Sequence, residues 1–140
     1  MPPFAITKPL PPPLERARAY WQGLLRGEAE IPFWDDLKLP DLGDLAGDCF
    51  TLDAFDKPQR FRFAEIGGRL RQSGGADLEG VFLDEAKLAS PFDYLLAQAS
   101  ATVEAAQPTL HRVAGANARL LLPLWGEGRI GLLLGVVAWE

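Results

Sequence analysis

At 140 residues the chain has the length of one ordinary domain, and a chain of that length buries roughly two-thirds of its unfolded surface on folding. Hydrophobic residues make up 48% and charged residues 24%, a balance typical of folded globular proteins and unlike that of disordered ones. The net charge is -5, and the lysines and arginines form no basic stripe, which argues against direct binding of nucleic acid.

The cysteine and histidine counts exclude two common kinds of site. Cys49 is the single cysteine and His111 the single histidine, so the chain supplies neither an internal disulfide nor a four-ligand zinc site of the usual kind. The first residues lack the basic and apolar regions of a secretory signal. The longest apolar stretch, residues 130–139, is too short to span a bilayer, which takes ~20 residues. We expect a cytoplasmic protein with no cofactor, no metal and no membrane contact.

The chain begins with a proline-rich stretch, residues 1–12. Proline fixes φ and removes a backbone donor, so this stretch is predicted to be an extended leader that belongs to no core, with a single domain following over residues 13–140. A helix is predicted from Pro13, with a cationic last turn at Arg26 and a stop at Gly27. Its apolar stripe consists of Leu14, Ala17, Tyr20, Trp21, Leu24 and Leu25.

Residues 28–47 carry prolines, glycines and aspartates among isolated apolar residues, which indicates a connector wrapped over the domain. Two strands are predicted at residues 49–55 and 60–66. The Asp-Lys-Pro-Gln sequence between them has turn chemistry, so the two strands should form a β-hairpin. Short helices are expected between the glycine pairs of residues 67–75 and around residues 84–88.

A longer helix is predicted to begin at Ser90. The Ser90 hydroxyl can accept from the Asp93 amide while Asp93 reaches back, and Pro91 suits the first turn. Gln107 and Pro108 end the helix. Its apolar stripe consists of Phe92, Leu95, Leu96, Ala99 and Val103.

Three further strands are predicted at residues 109–114, 118–125 and 130–139, joined by glycine-containing turns into an antiparallel meander. The last two strands are apolar at both their odd-numbered and their even-numbered positions, which face opposite sides, so both faces of the sheet must be covered. The predicted fold is therefore α+β: a five-stranded antiparallel sheet has the central helices on one face and the N-terminal amphipathic helix, from the same chain or a partner, on the other.

This order of elements resembles the PAS fold, and short motifs add to the resemblance. In one proteobacterial PAS family, members start with a Tyr-Trp-x-x-Leu-Arg-Gly-like helix followed by an Ile-Pro segment. The counterparts here are Tyr20, Trp21, Leu24, Arg26, Gly27, Ile31 and Pro32, with Leu25 as one extra residue. Further similar stretches are Phe61 to Gly67, Gly75 to Gly80 and Arg119 to Leu124, so the resemblance runs from Arg18 to Val137.

The resemblance implies a sensory or regulatory domain that binds other proteins, in some relatives with a small ligand between the sheet and the helices. It implies no catalytic residues, and a fold alone does not assign a function. At 140 residues, we expect no kinase, cyclase or DNA-binding output domain beside it. We therefore expect it to act through a separate signalling or regulatory protein.

The residues that carry chemistry in other proteins form no catalytic set here. His111 is predicted on a strand, whereas haem-binding PAS proteins carry their histidine on the long helix, so an ordinary strand histidine is favoured over an axial ligand. Cys49 has no redox or photochemical motif around it. Glu65, placed near His111, is the one acid–base pairing worth naming, and a fortuitous pair is favoured.

Two apolar features remain open to a binding role. One set of side chains either lines a cavity for a small ligand or fills the core, and filling is favoured because protein interiors are close-packed. This set is Phe50, Phe63, Phe82, Phe92, Leu96 and Leu121. The apolar stripe of the first helix either packs within its own chain or pairs with a second copy, and a homodimer is favoured because PAS relatives often dimerise through this element.

The predicted function is a non-enzymatic regulatory module that acts by protein–protein interaction, with a small ligand as an optional effector. Two alternatives stay open: a small-molecule carrier or enzyme on a similar α+β scaffold, and a purely structural dimer. A carrier or enzyme would need a preformed pocket with converging polar groups.

Overall fold

The computed structural model describes residues 3–140 and contains one five-stranded antiparallel sheet. The strands are β1 (Cys49–Phe55), β2 (Arg60–Ile66), β3 (Thr109–Val113), β4 (Asn117–Gly126) and β5 (Arg129–Trp139). Their spatial order is β2-β1-β5-β4-β3, so the last strand of the chain lies in the centre of the sheet. The predicted α+β class and the five antiparallel strands are confirmed.

The helices are α1 (Pro12–Gly23), α2 (Gly68–Leu70) and α3 (Leu95–Ala105). Segments of 3-10 helix occupy Trp34–Asp36, Leu39–Asp48 and Leu83–Glu85. The segment Leu39–Asp48 belongs to the connector, and it buries two leucines against the sheet.

The hairpins lie where the turn residues predict them. β4 and β5 form a long ladder, which ends with Gly126 opposite Arg129. Glu127 and Gly128 join these strands with φ of 58° and 76°, the conformation that a tight two-residue hairpin turn requires. β1 and β2 pair up to the Asp-Lys-Pro-Gln turn.

The leucines of β4 alternate between two separate cores. Leu120 and Leu122 pack in the core that contains Trp21 of α1. Leu121 packs in the other core, with Leu95 of α3. Neighbouring residues of a strand point to opposite faces, so a run of leucines needs a cover on each side. The prediction of a sheet covered on both faces is confirmed, and α1 of the same chain provides one of the covers.

Trp21 fastens α1 to the sheet by packing and by a hydrogen bond. Its side chain is 5% exposed, and its indole Nε1 donates to the Pro123 carbonyl oxygen at 2.8 Å. Pro123 lies in β4 beyond the end of β3. Trp125, two residues further on, turns its amide to the same edge and donates to the Pro32 oxygen at 2.8 Å. A proline at this edge position removes no sheet hydrogen bond, and the indole supplies the donor that its carbonyl needs.

The proline-rich leader differs from its prediction because it packs against the domain. Leu10 is 7% exposed and belongs to the same core as Leu14. The Phe4 carbonyl oxygen accepts from the Leu110 amide of β3 at 2.8 Å. The expectation that the leader belongs to no core is wrong, since an extended segment can lie along a strand edge and shield it. The first two residues of the predicted leader lie outside the described part of the chain.

α1 ends at Gly23, one turn earlier than predicted. The Leu24 amide turns back to the Trp21 oxygen at 3.1 Å, which tightens the last turn. Arg26 then donates two hydrogen bonds, of 2.6 and 2.8 Å, to the Asp36 carboxylate. This ion pair directs the chain into the connector, so Arg26 does not form a cationic last turn of the helix.

α3 begins at Leu95, and Ser90 does not cap it. Tyr94, directly before the helix, has a left-handed φ of 61°. The Ser90 hydroxyl oxygen accepts instead from the Asn117 side-chain amide at 3.3 Å. The predicted cap is wrong because the chain between Ser90 and Tyr94 is bound by the side chain of Arg119, which comes from β4.

We expect Trp21→Phe to lower the free energy of unfolding by about 1 kcal/mol, because the buried Pro123 carbonyl loses its donor while most of the ring remains. Trp21→Ala should cost about 3 kcal/mol, since it also leaves a cavity. Chemical denaturation followed by circular dichroism measures both. Trp125→Phe is the matched control on a ring that is 38% exposed. An equal loss in the two phenylalanine variants would contradict the assigned role of Trp21.

Candidate functional site

Three of the six predicted pocket residues fill the core on the α3 face. Phe50, Phe63 and Phe92 are 0%, 0% and 2% exposed. Their ring centroids are 6.0, 5.4 and 5.2 Å apart, and two of the three pairs meet edge to face, a favourable aromatic contact. Gly135 makes room for them, because a Cβ at that position would stand 2.1 Å from the Phe50 ring. Side chains therefore pack this region of the domain.

The other three predicted pocket residues lie apart from one another. Leu121 is buried in the same core as the phenylalanines. Phe82 lies outside that core, with the Arg60 guanidinium 3.8 Å from its ring centroid. Leu96 is 40% exposed on α3. The structure thus brings four of the six together in the core and separates the other two from them.

The predicted interface residues of α1 are divided by the structure into two groups. Leu14, Ala17 and Trp21 are buried against the sheet of their own chain. The half-buried residues are Tyr20, Leu24 and Leu25. Homodimerisation through this stripe stays a prediction, and it has only the half-buried residues available while α1 remains on the sheet.

A cleft of about 340 Å³ opens on the α3 face, where the carboxyl end of α3 meets the two hairpin turns. Its volume falls in the range of small-molecule sites. We term it the Trp125 cleft. Its lining residues are Ala54, Phe55, Asp56, Gln59, Phe61, Val103, Ala106, Trp125, Gly128, Arg129 and Ile130. None of the six predicted pocket residues lines it.

The cleft exists because α3 is shorter than the strands beneath it. α3 ends at Ala105, and Ala106 takes a left-handed φ of 54° as the chain leaves for β3. Strand parity puts Trp125 on the same face as Leu121. The helix ends before it covers Trp125, so that side chain is 38% exposed. Sequence reasoning missed Trp125, although its parity together with the helix stop at Gln107 is a signal that could have found it.

Arg129 is the positively charged residue of the cleft wall. Its Nη2 donates to the Ala54 carbonyl oxygen at 3.0 Å, and its Nη1 lies 3.4 Å from a Glu127 carboxylate oxygen. Its Nε is buried and meets no hydrogen-bond acceptor within residues 3–140. The Gln59 side-chain oxygen accepts from the Ser100 hydroxyl at 3.0 Å, which leaves the Gln59 amide group as a second donor beside the cleft.

Trp125 also borders a second, more open hollow of about 330 Å³. Phe33 stands beside it and is 41% exposed. Residues 31–33 run next to the end of β4, where Phe33 forms a parallel bridge with Trp125. We term Ile31, Phe33 and Trp125 the aromatic surface. The hollow is lined by Ala29, Glu30, Ile31, Phe33 and Trp125.

Trp34 anchors this segment in a notch formed by two glycines. A Cβ at Gly126 would stand 2.2 Å from the Trp34 ring, and one at Gly131 would stand 2.8 Å from it. Gly131 is the extra residue of a bulge in β5 and has no partner residue in β4. Because Trp34 is seated on the backbone of both strands, the neighbouring Phe33 is held at a defined position beside Trp125.

Acidic side chains surround the aromatic surface. The exposed acidic residues that border it are Glu30, Asp35 and Glu127. Arg26 lies 5.7 Å from the Phe33 ring centroid, but its charge is paired with Asp36. The surface is therefore apolar at its centre and predominantly acidic at its rim.

Arg119 is a fully buried arginine for which the sequence indicates no role. Its Nε donates to the Gln98 side-chain oxygen at 2.7 Å, and Nη1 and Nη2 donate to the main-chain oxygens of Pro91 and Asp93 at 2.8 and 3.0 Å. Burial lowers the pKa of the guanidinium to about 10, while the Asp93 charge acts in the opposite direction. Arg119 therefore stays charged at neutral pH and binds the chain before α3 to β4.

Gln98 extends this network from α3 to β3. Its Nε2 donates to the Thr109 hydroxyl at 3.1 Å and to the Arg119 carbonyl oxygen at 3.2 Å. The Thr102 and Thr109 hydroxyl oxygens are 2.6 Å apart, and all four residues are buried. A buried network of this kind specifies one arrangement of the elements it joins. It positions α3 over β3 and β4.

The residues considered for catalysis are separated by the fold. Glu65 lies on β2 and His111 on β3, the two opposite edges of the sheet, so the expected proximity of the pair is wrong. Cys49 is fully buried, and burial raises the pKa of its thiol to about 12. It is therefore protonated at neutral pH, which disfavours nucleophilic reactivity.

Comparisons of the chain with family models, with curated proteins and with solved structures found no significant match. Within residues 3–140, no group of three His, Cys, Asp or Glu side chains is placed to hold a metal ion. Each helix in that same range is too short or too polar to cross a membrane.

We expect Arg119→Met to lower the free energy of unfolding by about 3 kcal/mol, because two buried acceptors and one partly buried acceptor lose their donors. Urea denaturation measures the change. Arg112→Met on β3 is the matched control: Arg112 is exposed and makes one long hydrogen bond, of 3.3 Å, so a change below about 0.5 kcal/mol is expected. Similar values for the two variants would show that the Arg119 network does not position α3.

His111 should make the stability of the domain fall in mild acid. Its ring lies between Phe4 and Tyr94, with centroids at 5.8 and 5.7 Å. Burial and the Arg119 charge lower its pKa below the ordinary 6.5, with Asp93 opposing them. The unfolded state then binds a proton more readily than the folded state, so stability decreases as the pH falls below about 6.5.

The measurement is the free energy of unfolding of the wild type and His111→Gln between about pH 5 and 7, where no other side chain has an ordinary pKa. The variant should show a flatter dependence on pH. Parallel curves for the two proteins would mean that His111 is equally protonated in the folded and unfolded states.

Proposed function

We propose that this chain is a PAS-type regulatory domain that catalyses no reaction and acts by binding a signalling or regulatory protein. The order of its elements supports this: a leading helix, two strands, a helical middle and three strands. Two stretches that resemble the family also have structural roles here. Trp21 of the first motif donates to Pro123 of the Arg119 to Leu124 stretch, and this bond joins α1 to the sheet.

The observation that carries the proposal is the aromatic surface. Phe33 and Trp125 are 41% and 38% exposed and lie side by side, next to an open hollow. Aromatic side chains are enriched at the centres of protein interfaces, because they bury a large area at a low cost in side-chain entropy. Trp34 holds the surface in place before any partner arrives, which lowers the entropy lost on binding.

The rim of the aromatic surface indicates the chemistry of the partner. Glu30, Asp35 and Glu127 are exposed around the apolar centre. A second copy of this chain would bring the same acidic groups against each other, and like charges across an interface oppose association. We therefore propose a different protein that presents apolar side chains flanked by lysine or arginine.

The alternatives differ in what supports them. An enzyme needs catalytic groups that converge on a pocket, and Glu65 and His111 lie at opposite edges of the sheet. A small-molecule carrier has one observation in its favour, the Trp125 cleft, which also suits a regulatory domain that responds to a ligand.

The test is capture of partners from a native lysate by the wild type, by Phe33→Ser with Trp125→Ser, and by Leu96→Ser, whose side chain is also 40% exposed. Mass spectrometry should identify a signalling or regulatory protein that the wild type and Leu96→Ser retain and the double variant loses. Calorimetry with that purified protein should show binding about 30-fold weaker for the double variant.

Two outcomes would contradict the proposal. One is a purified partner that binds the wild type and the double variant with the same Kd. The other is a native mass spectrum in which the wild type forms a dimer that the double variant does not, since the aromatic surface would then be covered by a second copy.

A further inference from the structure

The Trp125 cleft has an apolar floor that is shielded from water. Phe61 is 1% exposed and Ile130 is 8% exposed, and Phe55 and Val103 contribute further apolar wall. An apolar molecule that enters the cleft exchanges contact with water for contact with these side chains. Phe61 and Ile130 belong to the same core as Phe50, Phe63 and Phe92, but those three rings do not line the cleft, so a ligand can enter without displacing them.

Arg129 gives the cleft a positive group with unused hydrogen-bonding capacity. Its contact with Glu127 is long, at 3.4 Å, and Nη1 and Nη2 each carry a second N–H besides the one directed at Glu127 or at Ala54. An oxygen atom of a ligand in the cleft would accept hydrogen bonds from these Arg129 N–H groups. A carboxylate matches the planar fork of a guanidinium better than other small acceptors do.

We propose that the Trp125 cleft binds a small amphipathic monocarboxylate, with its apolar body against Phe61 and Val103 and its carboxylate on Arg129. The polar wall argues for a single charge. Asp56 lies in the same wall, at the hairpin turn, and would repel a second carboxylate of the ligand. The Gln59 amide group offers one further donor to the bound carboxylate.

The ligand would act next to the partner surface. Trp125 borders both the cleft and the hollow beside Phe33, so a ligand that orders the Trp125 ring changes the aromatic surface directly. This regulatory meaning rests on the proposed function, whereas binding of the ligand does not. A binding experiment without any partner protein therefore separates the two.

The experiment compares 3-phenylpropionate with 3-phenylpropan-1-ol, which has the same skeleton and no charge. Each is titrated into the 15N-labelled chain, and the Trp125 indole and Val103 amide signals are followed. The carboxylate should shift both signals and bind about tenfold more tightly than the alcohol, the difference expected for a charge-assisted hydrogen bond. Arg129→Gln should abolish this preference, and Asp56→Asn should strengthen carboxylate binding.

The controls keep each variant informative. Arg112→Gln removes an arginine outside the cleft and should leave both affinities unchanged. Val103→Phe narrows the cleft and should weaken both ligands, whereas Leu96→Phe adds volume on α3 away from it and should not. Equal affinity for the two ligands, an unchanged preference in Arg129→Gln, or no shift of the Trp125 signal up to about 10 mM carboxylate would overturn the proposal.

Discussion

A sheet that is apolar on both faces must be covered twice, and most features of this domain follow from that constraint. α3 covers one face, while α1 and the connector cover the other. The bond from Trp21 to Pro123 holds the second cover in place and satisfies a carbonyl at an edge position where a proline costs no ladder bond. Nearby segments also shield the sheet edges: the leader pairs with β3, and the Phe63 amide of β2 donates to the Val81 oxygen at 3.0 Å.

Close packing in the centre moves any binding site to the periphery. Gly135 lets Phe50 approach the backbone of β5, and three phenylalanine rings then fill the space between the sheet and α3. The early end of α3 leaves Trp125 without a cover, so the apolar surface that remains accessible lies at the end of the sheet. The cleft and the aromatic surface therefore share one residue, and a single ring belongs to both proposed sites.

Buried polar groups and exposed polar groups have different roles in this domain. The buried Arg119 binds main-chain oxygens and Gln98, and so it determines where α3 can begin. Its role is to position α3, because its three hydrogen-bond acceptors are groups of the same domain. The acidic side chains around Phe33 and the guanidinium of Arg129 are at the surface, where a partner or a ligand can use them. This contrast separates the groups that hold the fold from those that are available for function.

The sequence by itself determined the strands, the hairpins and the need for two covers, because turn chemistry and strand parity are local properties that few distant contacts override. It also indicated that α1 would supply one cover. The start of α3, the docking of the leader and the cleft beside Trp125 were decided only in the tertiary structure. Each depends on residues that are far apart in the chain. Arg119 binds the Pro91 oxygen, Leu110 binds the Phe4 oxygen, and α3 ends above the last residues of β4. Strand parity and the helix stop at Gln107 indicate that Trp125 is uncovered, but pattern and spacing do not show which distant groups surround it, so the cleft itself lay outside the reach of the sequence.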